Sequence, residues 1–174
     1  MKTQSKTAGT MENESLETLF KSELTEAYFA QKKLGEVYQR LTDAAHNEDL
    51  KKAFDAQVHN TTLQVSRMEQ CFTLLELKPD TKYADVISGL TKSAEDAIAQ
   101  FPEGHVRDAA MIASAQKIEH YGISAYGTLR TMATVLGRVQ CAELIEDNKD
   151  EEAETDEVLT RLAISINQLA FEGA

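Results

Sequence analysis

The chain has 174 residues, 42% hydrophobic and 27% charged, which allows one globular domain with a real core. Its net charge of -11 argues against nucleic acid or an anionic membrane as a direct partner. No apolar run reaches the ~18 residues that a membrane span needs, and the N-terminus lacks the apolar segment of a secretory signal.

Residues 1–13 are polar and without periodicity, and are expected to form a disordered tail. One helical domain is expected over 14–172. Its first helix is predicted from Ser15 to Ala44, on the apolar stripe Leu16, Leu19, Phe20, Ala27, Ala30, Leu34, Val37 and Leu41. Glu23 and Glu26 fall on or beside that stripe. Asn47 is placed to cap a second helix, with Glu48 and Asp49 in the first turn where the helix dipole favours acids. This helix is predicted to reach Leu77. Its inward positions are apolar at both ends and polar in the middle, where Gln57, Asn60, Thr61 and Gln64 gather. A helix kept only for stability would rarely place those four together.

Lys78-Pro79-Asp80 makes a turn. A shorter helix is predicted from Tyr83 to Gln100, ended by Pro102-Glu103-Gly104. The next long helix runs from Val106 to Leu136, with Gly137 as the residue that ends it. Gln116 and Glu119 sit in the middle of its apolar stripe, and a bare buried carboxylate is too costly to stand alone. The last helix is predicted from Val139 to Phe171, with Glu152 in register with Leu144, Ile145, Leu159, Leu162 and Ile166. Cys71 and Cys141 lie on different helices, match no CxxC pattern, and read as buried reduced thiols suited to the cytosol.

Four helices of about thirty residues, each ~45 Å long, form two hairpins joined by a link that carries a short helix. That is the layout of an all-α, ferritin-like antiparallel four-helix bundle with an additional short helix in the second connection. Such bundles hold two metal ions with one Glu from each of two helices and a Glu-x-x-His from each of the others. Here Glu26, or Glu23 beside it, Glu119 and Glu152 are the candidate ligands. The second helix offers only amides and a hydroxyl. The position three after Glu119 is Gly122, and His120 points away from Glu119's face. Two readings stand. One is an altered site built on three carboxylates, binding iron or manganese and handling oxygen or peroxide. The other is a hydrogen-bonded polar layer without a cofactor, formed by Glu23, Gln31, Gln57, Asn60, Thr61, Gln64, Gln116 and Gly122 around the acids and satisfied by water and by neighbours such as Tyr28, Tyr121 and Tyr126. Carboxylates clustered without metal would hold at least one proton near neutral pH. The nine acids between Glu143 and Glu157 lack the spacing and glycine of a calcium loop, and read as a solvated helix face.

The segment HVRDAAMIASAQKIEHYGISAYGTL resembles the third long helix of the YciF-like stress proteins, and ELTEAYFAQKKL, LKKAFDAQVHNTTLQVSRMEQ and DEEAETDEVLTRLA resemble the other three in order. The resemblance spans Leu16 to Ala163. It implies a bacterial, cytoplasmic, stress-linked, ferritin-like protein that forms a homodimer. Members of that family typically carry Glu at the position of Gln31, His at Gln57, Glu at Asn60 and a second Glu at Gly122. Glu26, Glu119, Glu151-Glu152, Thr61 and Gln64 are retained. Set against that pattern, the di-metal site is largely degenerate here, and the resemblance does not by itself imply oxidase activity. A non-enzymatic bundle is expected, with a metal-binding oxidase or peroxide-handling protein with an altered mono- or di-metal site as the alternative.

Overall fold

The computed structural model describes residues 15–79 and 85–173. Five helices and no strands occur among them: α1 (Leu16–Ala44), α2 (Glu48–Leu74), α3 (Ser88–Gln100), α4 (His105–Val135) and α5 (Val139–Glu172). The polar N-terminal stretch, Asp80 of the expected turn and Tyr83, the expected start of the short helix, lie outside the described residues. No helix among the described residues is long and apolar enough to cross a membrane.

Local chemistry sets the boundaries. Ser15 caps α1 by accepting from the Thr18 amide at 3.1 Å. Asn47 caps α2 by accepting from the amides of Asp49 and Leu50 at 3.0 and 3.1 Å. Helix α4 ends as the sequence predicts, because Gly137 takes a left-handed backbone (φ 70°) that lets the Arg138 amide reach back to Ala133 O at 2.8 Å. Helix α2 ends at Leu74, not Leu77. Glu76 adopts the same left-handed turn (φ 54°), and the Leu77 amide closes on Phe72 O at 2.9 Å. A non-glycine residue in that role carries no sequence signal, so the pattern alone places the end three residues too far along.

The four long helices pack in a ring, α1 on α2, α2 on α5, α5 on α4 and α4 on α1. Paired residues run in opposite directions at each seam: Tyr28 with Glu69 and Gln31 with Gln64, Gln57 with Thr155 and Arg67 with Glu151, Gln116 with Thr160 and Arg130 with Glu146, Ala44 with Arg107 and Tyr38 with Glu119. Every neighbouring pair is thus antiparallel. Helices α2 and α4 consequently point the same way, and the segment between them travels back along the molecule. Its helix α3 lies on α4 and α1, burying Ile87, Ala94 and Ala97.

Two apolar clusters fill the ring. One gathers Leu34, Leu41, Leu50, Phe54, Met111, Ile118, Leu159 and Ile166. The other gathers Phe20, Leu24, Met68, Phe72, Tyr126, Leu129 and Ile145. Leu16 and Leu19, expected on the buried stripe of α1, are largely exposed, and Leu24 and Tyr38 are buried instead. The inward face of α1 winds away from those first two positions before the ring closes around it.

At one end, α4 clasps the turn between α1 and α2. The buried Asp108 carboxylate accepts from the amides of His46 and Asn47 at 2.9 and 2.8 Å, and Arg107 Nη2 donates to Ala44 O at 2.6 Å. Asp108 therefore satisfies the backbone of the turn whose Asn47 caps α2. Asp108→Ala leaves two amides without a partner and is expected to cost about 2–4 kcal/mol. Thermal unfolding should show a melting temperature ~5–15 °C lower, and an unchanged melting temperature would contradict this role.

Candidate functional site

Between the two apolar clusters lies a layer of buried polar side chains from all four long helices: Gln31 and Tyr38 on α1, Gln57, Thr61 and Gln64 on α2, Glu119 on α4, and Asn148, Glu152 and Thr155 on α5. Burying so many polar atoms is tolerable only where they satisfy one another, and nearly all do. Tyr38 OH donates to Glu119 Oε1, and Gln57 Nε2 donates to Glu119 Oε2 at 3.4 Å. Gln57 Oε1 accepts from Thr155 Oγ1 at 3.0 Å and from Asn60 Nδ2 at 3.2 Å. Gln31 Nε2 donates to Gln64 Oε1, and Gln64 Nε2 donates to Glu151 Oε2 at 3.2 Å. Thr61 Oγ1 returns its proton to Gln57 O at 2.7 Å. At the rim, Arg67 grips Glu151 with both terminal nitrogens, at 2.8 and 2.6 Å, and donates to Asn148 Oδ1 at 3.0 Å. This forked, half-buried pair is stronger than an exposed one.

One atom is left over. Glu152 Oε1 is buried and meets no amide or hydroxyl in hydrogen-bonding geometry. The Glu119 carboxyl and the amides of Gln64 and Gln31 lie around the Glu152 carboxyl. A proton on Glu119 supplies the missing donor, and the two carboxyls then form an acid–carboxylate pair. Burial raises Glu119 well above the ordinary glutamate range, and the charge of Glu152 raises it further. Burial likewise pushes Glu152 up, to about 7, against the hydrogen bonds from Glu119 and Gln64 that lower it. Burial also raises Tyr38 and Tyr126, so both remain neutral phenols.

Gly122 explains how Glu152 reaches this position. A Cβ on Gly122 would lie 2.8 Å from Glu152 Oε2 and 2.9 Å from its Cδ. The carboxyl therefore occupies the space beside α4 that any larger residue at 122 would fill.

The other predicted residues are placed differently. Glu23 and Glu26 are half-buried and line a groove between α1 and α4 with Tyr121, Ser124 and Thr128. Burial raises Glu26, Glu23 raises it further, and burial and both acids push Tyr121 up to about 12. Gln116 is also half-buried, at the α4–α5 seam, where it donates to Asp156 at 3.2 Å and to Thr160 at 2.8 Å. Asn60 stands at the edge of the layer. The structure thus brings Glu119 and Glu152 together and leaves Glu26 in the outer groove. Among the described residues, no three His, Cys, Asp or Glu side chains gather closely enough to hold a metal ion.

Tyr38, Asn148, Thr155 and Arg67, the partner of Glu151, are residues of the layer that sequence reasoning misses. The spacing held a signal for three of them: Tyr38 follows Gln31 by two turns, while Asn148 and Thr155 flank Glu152 at one turn on each side. Of the tyrosines expected to satisfy the layer, Tyr28 instead donates to Glu69 at 3.0 Å, whereas Tyr126 stands beside Asn148 at the layer and also contacts Met68 Sδ at 3.8 Å.

Comparison with known proteins agrees with this architecture. The sequence profile of the family described as "Domain of unknown function (DUF892)" matches residues 15–171. Protein YciF of Escherichia coli (strain K12) is 38% identical over 156 residues, covering 89% of this chain and 94% of that one. The crystal structure of the E. coli stress protein YciF superposes with a TM-score of 0.86 at 37% identity, covering 90% of this chain and 99% of that chain. YcfI of Rhodopseudomonas palustris superposes with a TM-score of 0.82 at 29% identity, covering 88% and 98%.

The acid pair makes stability depend on pH with a definite sign. Both folded-state values are raised, so over the interval above the ordinary glutamate value of 4.5 the folded chain holds a proton that the unfolded chain has released. The resulting stability is complete below that value and is lost as pH rises through the folded-state values, about 7 for Glu152. Glu119→Gln replaces the acid with a neutral donor. The wild type should lose stability relative to this variant between about pH 5 and pH 8, the variant ending about 1–3 kcal/mol more stable at the upper end. Parallel melting curves across that range would contradict the shared proton.

Proposed function

This chain belongs to the DUF892 family, and from that membership we propose that it is a non-enzymatic, stress-associated ferritin-like bundle, in which a proton and a set of amides do what two metal ions do in ferritin-like di-metal bundles. The reading treats 14–172 as one bundle domain: four long helices in a ring of antiparallel neighbours, with α3 on the second connection. The stress association rests on likeness to the E. coli protein that is called a stress protein.

The donor set of the layer carries the reading. Two divalent ions bring four positive charges, and such centres meet them with about four carboxylates and two imidazoles. This layer offers Glu119 and Glu152. Its third acid, Glu151, is already held by Arg67. The remaining groups are neutral, and the layer contains no imidazole: His59 is exposed, and the largely exposed His120 faces Asp156 at 3.4 Å. The residues present do not fit a binuclear centre. The protein's role is then that of a stable helical scaffold. A homodimer in a reducing, cytoplasmic setting suits the family likeness and two unpaired cysteines, and a charge of -11 sets nucleic acid and anionic membranes aside.

One observation favours a second reading, an oxidase or peroxide-handling protein with an altered site for iron or manganese. It is the unpartnered Glu152 Oε1, which a single cation could also satisfy. Elemental analysis separates the two. Protein purified from medium supplemented with iron and manganese should carry well under one equivalent of either per chain, and Glu119→Gln should leave that content unchanged. One or two equivalents that disappear in Glu119→Gln would establish the second reading and end the first.

A further inference from the structure

The second apolar cluster contains a group the polar layer does not use. Cys71 on α2 and Cys141 on α5 are both free and buried, and they face each other across the seam. Each Sγ lies 3.8 Å from the other residue's carbonyl oxygen, which sets the two thiols side by side. Such reciprocal placement from antiparallel neighbours brings the two sulfurs near the separation from which a disulfide can close.

Their surroundings are unequal. Cys141 sits in the first turn of the 34-residue α5, whose leading amides no side chain caps. Helix dipole and free amides both favour a thiolate there. Cys141 also lines a pocket of about 260 Å³ with Leu74, Leu75, Gly137, Arg138 and Gln140. Burial raises the Cys141 thiol, but its hydrogen bond with Cys71 and the charge of Arg138 oppose that rise. Arg138 also reaches Glu17 at 3.6 Å, so its charge is shared. Cys71 is fully buried; burial, and then Cys141, raise it far above the ordinary thiol range.

We propose that Cys71 and Cys141 form a peroxide-oxidised pair, in which Cys141 reacts first and Cys71 closes an intramolecular disulfide that staples α2 to α5. In the first step the Cys141 thiolate attacks one peroxide oxygen, the O–O bond breaks, and Cys141 becomes a sulfenic acid while hydroxide leaves. In the second, the Cys71 sulfur attacks the Cys141 sulfur, the S–O bond breaks, and the oxygen departs as water with the Cys71 proton. Two thiols lose two electrons, and one hydrogen peroxide gains them to give two waters. A small-molecule thiol reverses the step by exchange. Because burial holds both thiols largely protonated, the pair responds to abundant peroxide and not to traces of it. The site is separate from Glu119 and Glu152, and the inference holds whichever reading of the polar layer is correct.

The full-length reduced protein, treated with about tenfold excess hydrogen peroxide, tests this by intact mass and peptide mapping. The expected product is a monomer lighter by two hydrogen atoms, with Cys71 linked to Cys141 and the change reversed by dithiothreitol. Cys71→Ala, and Cys71→Ser in parallel, should leave a sulfenic acid on Cys141 that dimedone traps, whereas Cys141→Ala should leave Cys71 unlabelled. Arg138→Gln, an exposed change that does not threaten folding, should slow dimedone trapping in the Cys71→Ala background about threefold to tenfold. Sulfinic or sulfonic acid without a disulfide, a disulfide between chains, trapping on Cys71 in place of Cys141, or a rate indifferent to Arg138 would each overturn the proposal.

Discussion

The structure depends on a pair of carboxyls that cannot both be charged. Glu119 and Glu152 meet in the middle of the ring, out of contact with water. Two bare anions there would cost far more than the folded state has in reserve. The surrounding groups divide accordingly. Tyr38 and Gln57 donate to Glu119, while Gly122 leaves room for Glu152 to lie against α4 beside it. A single retained proton completes the arrangement.

That constraint reaches outward through the amides. Gln57 accepts from Thr155 and so ties α2 to α5, Gln31 and Gln64 tie α1 to α2, and Arg67 ties α2 to the acidic face of α5. Each bond joins helices whose apolar positions pack on either side of the layer, so the polar contacts fix register where apolar packing alone would permit sliding. Neutral amides suit this task because they both donate and accept at one position. Being neutral, they add no negative charge to that of the acids beside them. Family likeness and interior chemistry therefore bear on different matters: the first on the shape of the chain, the second on what its centre can do.

Much of the architecture was legible because helix signals are local. Asn47 before two acids, Gly137 after an apolar run, and apolar spacing of three and four residues marked the long helices to within a few positions. The signals failed where tertiary context decides. Glu76 in a left-handed turn looks like any surface glutamate. Leu16 and Leu19 continue the stripe of α1, but the ring does not close over them. Within the candidate site, Glu119, Glu152, Gln57, Thr61 and Gln64 were visible as polar residues at inward positions, and Gln31 through the family resemblance. Glu26 and Gln116 shared that appearance, yet lie one helical step aside, at the seams. A 100° step per residue separates a core position from a groove position, and periodicity in a long helix does not resolve a difference that small. Tyr38 escaped notice because a tyrosine on an apolar stripe reads as core, although its hydroxyl is what the buried acid requires.

The central claim is that one proton is shared between Glu119 and Glu152 at neutral pH. Infrared spectroscopy of the metal-free protein in deuterated buffer tests it directly, through the carbonyl stretch of a protonated carboxylic acid, which ionised carboxylates lack. A band from one buried acid at neutral pH, absent in Glu119→Gln, is the predicted result. A wild-type spectrum without that band, with every carboxylate ionised, would contradict the account.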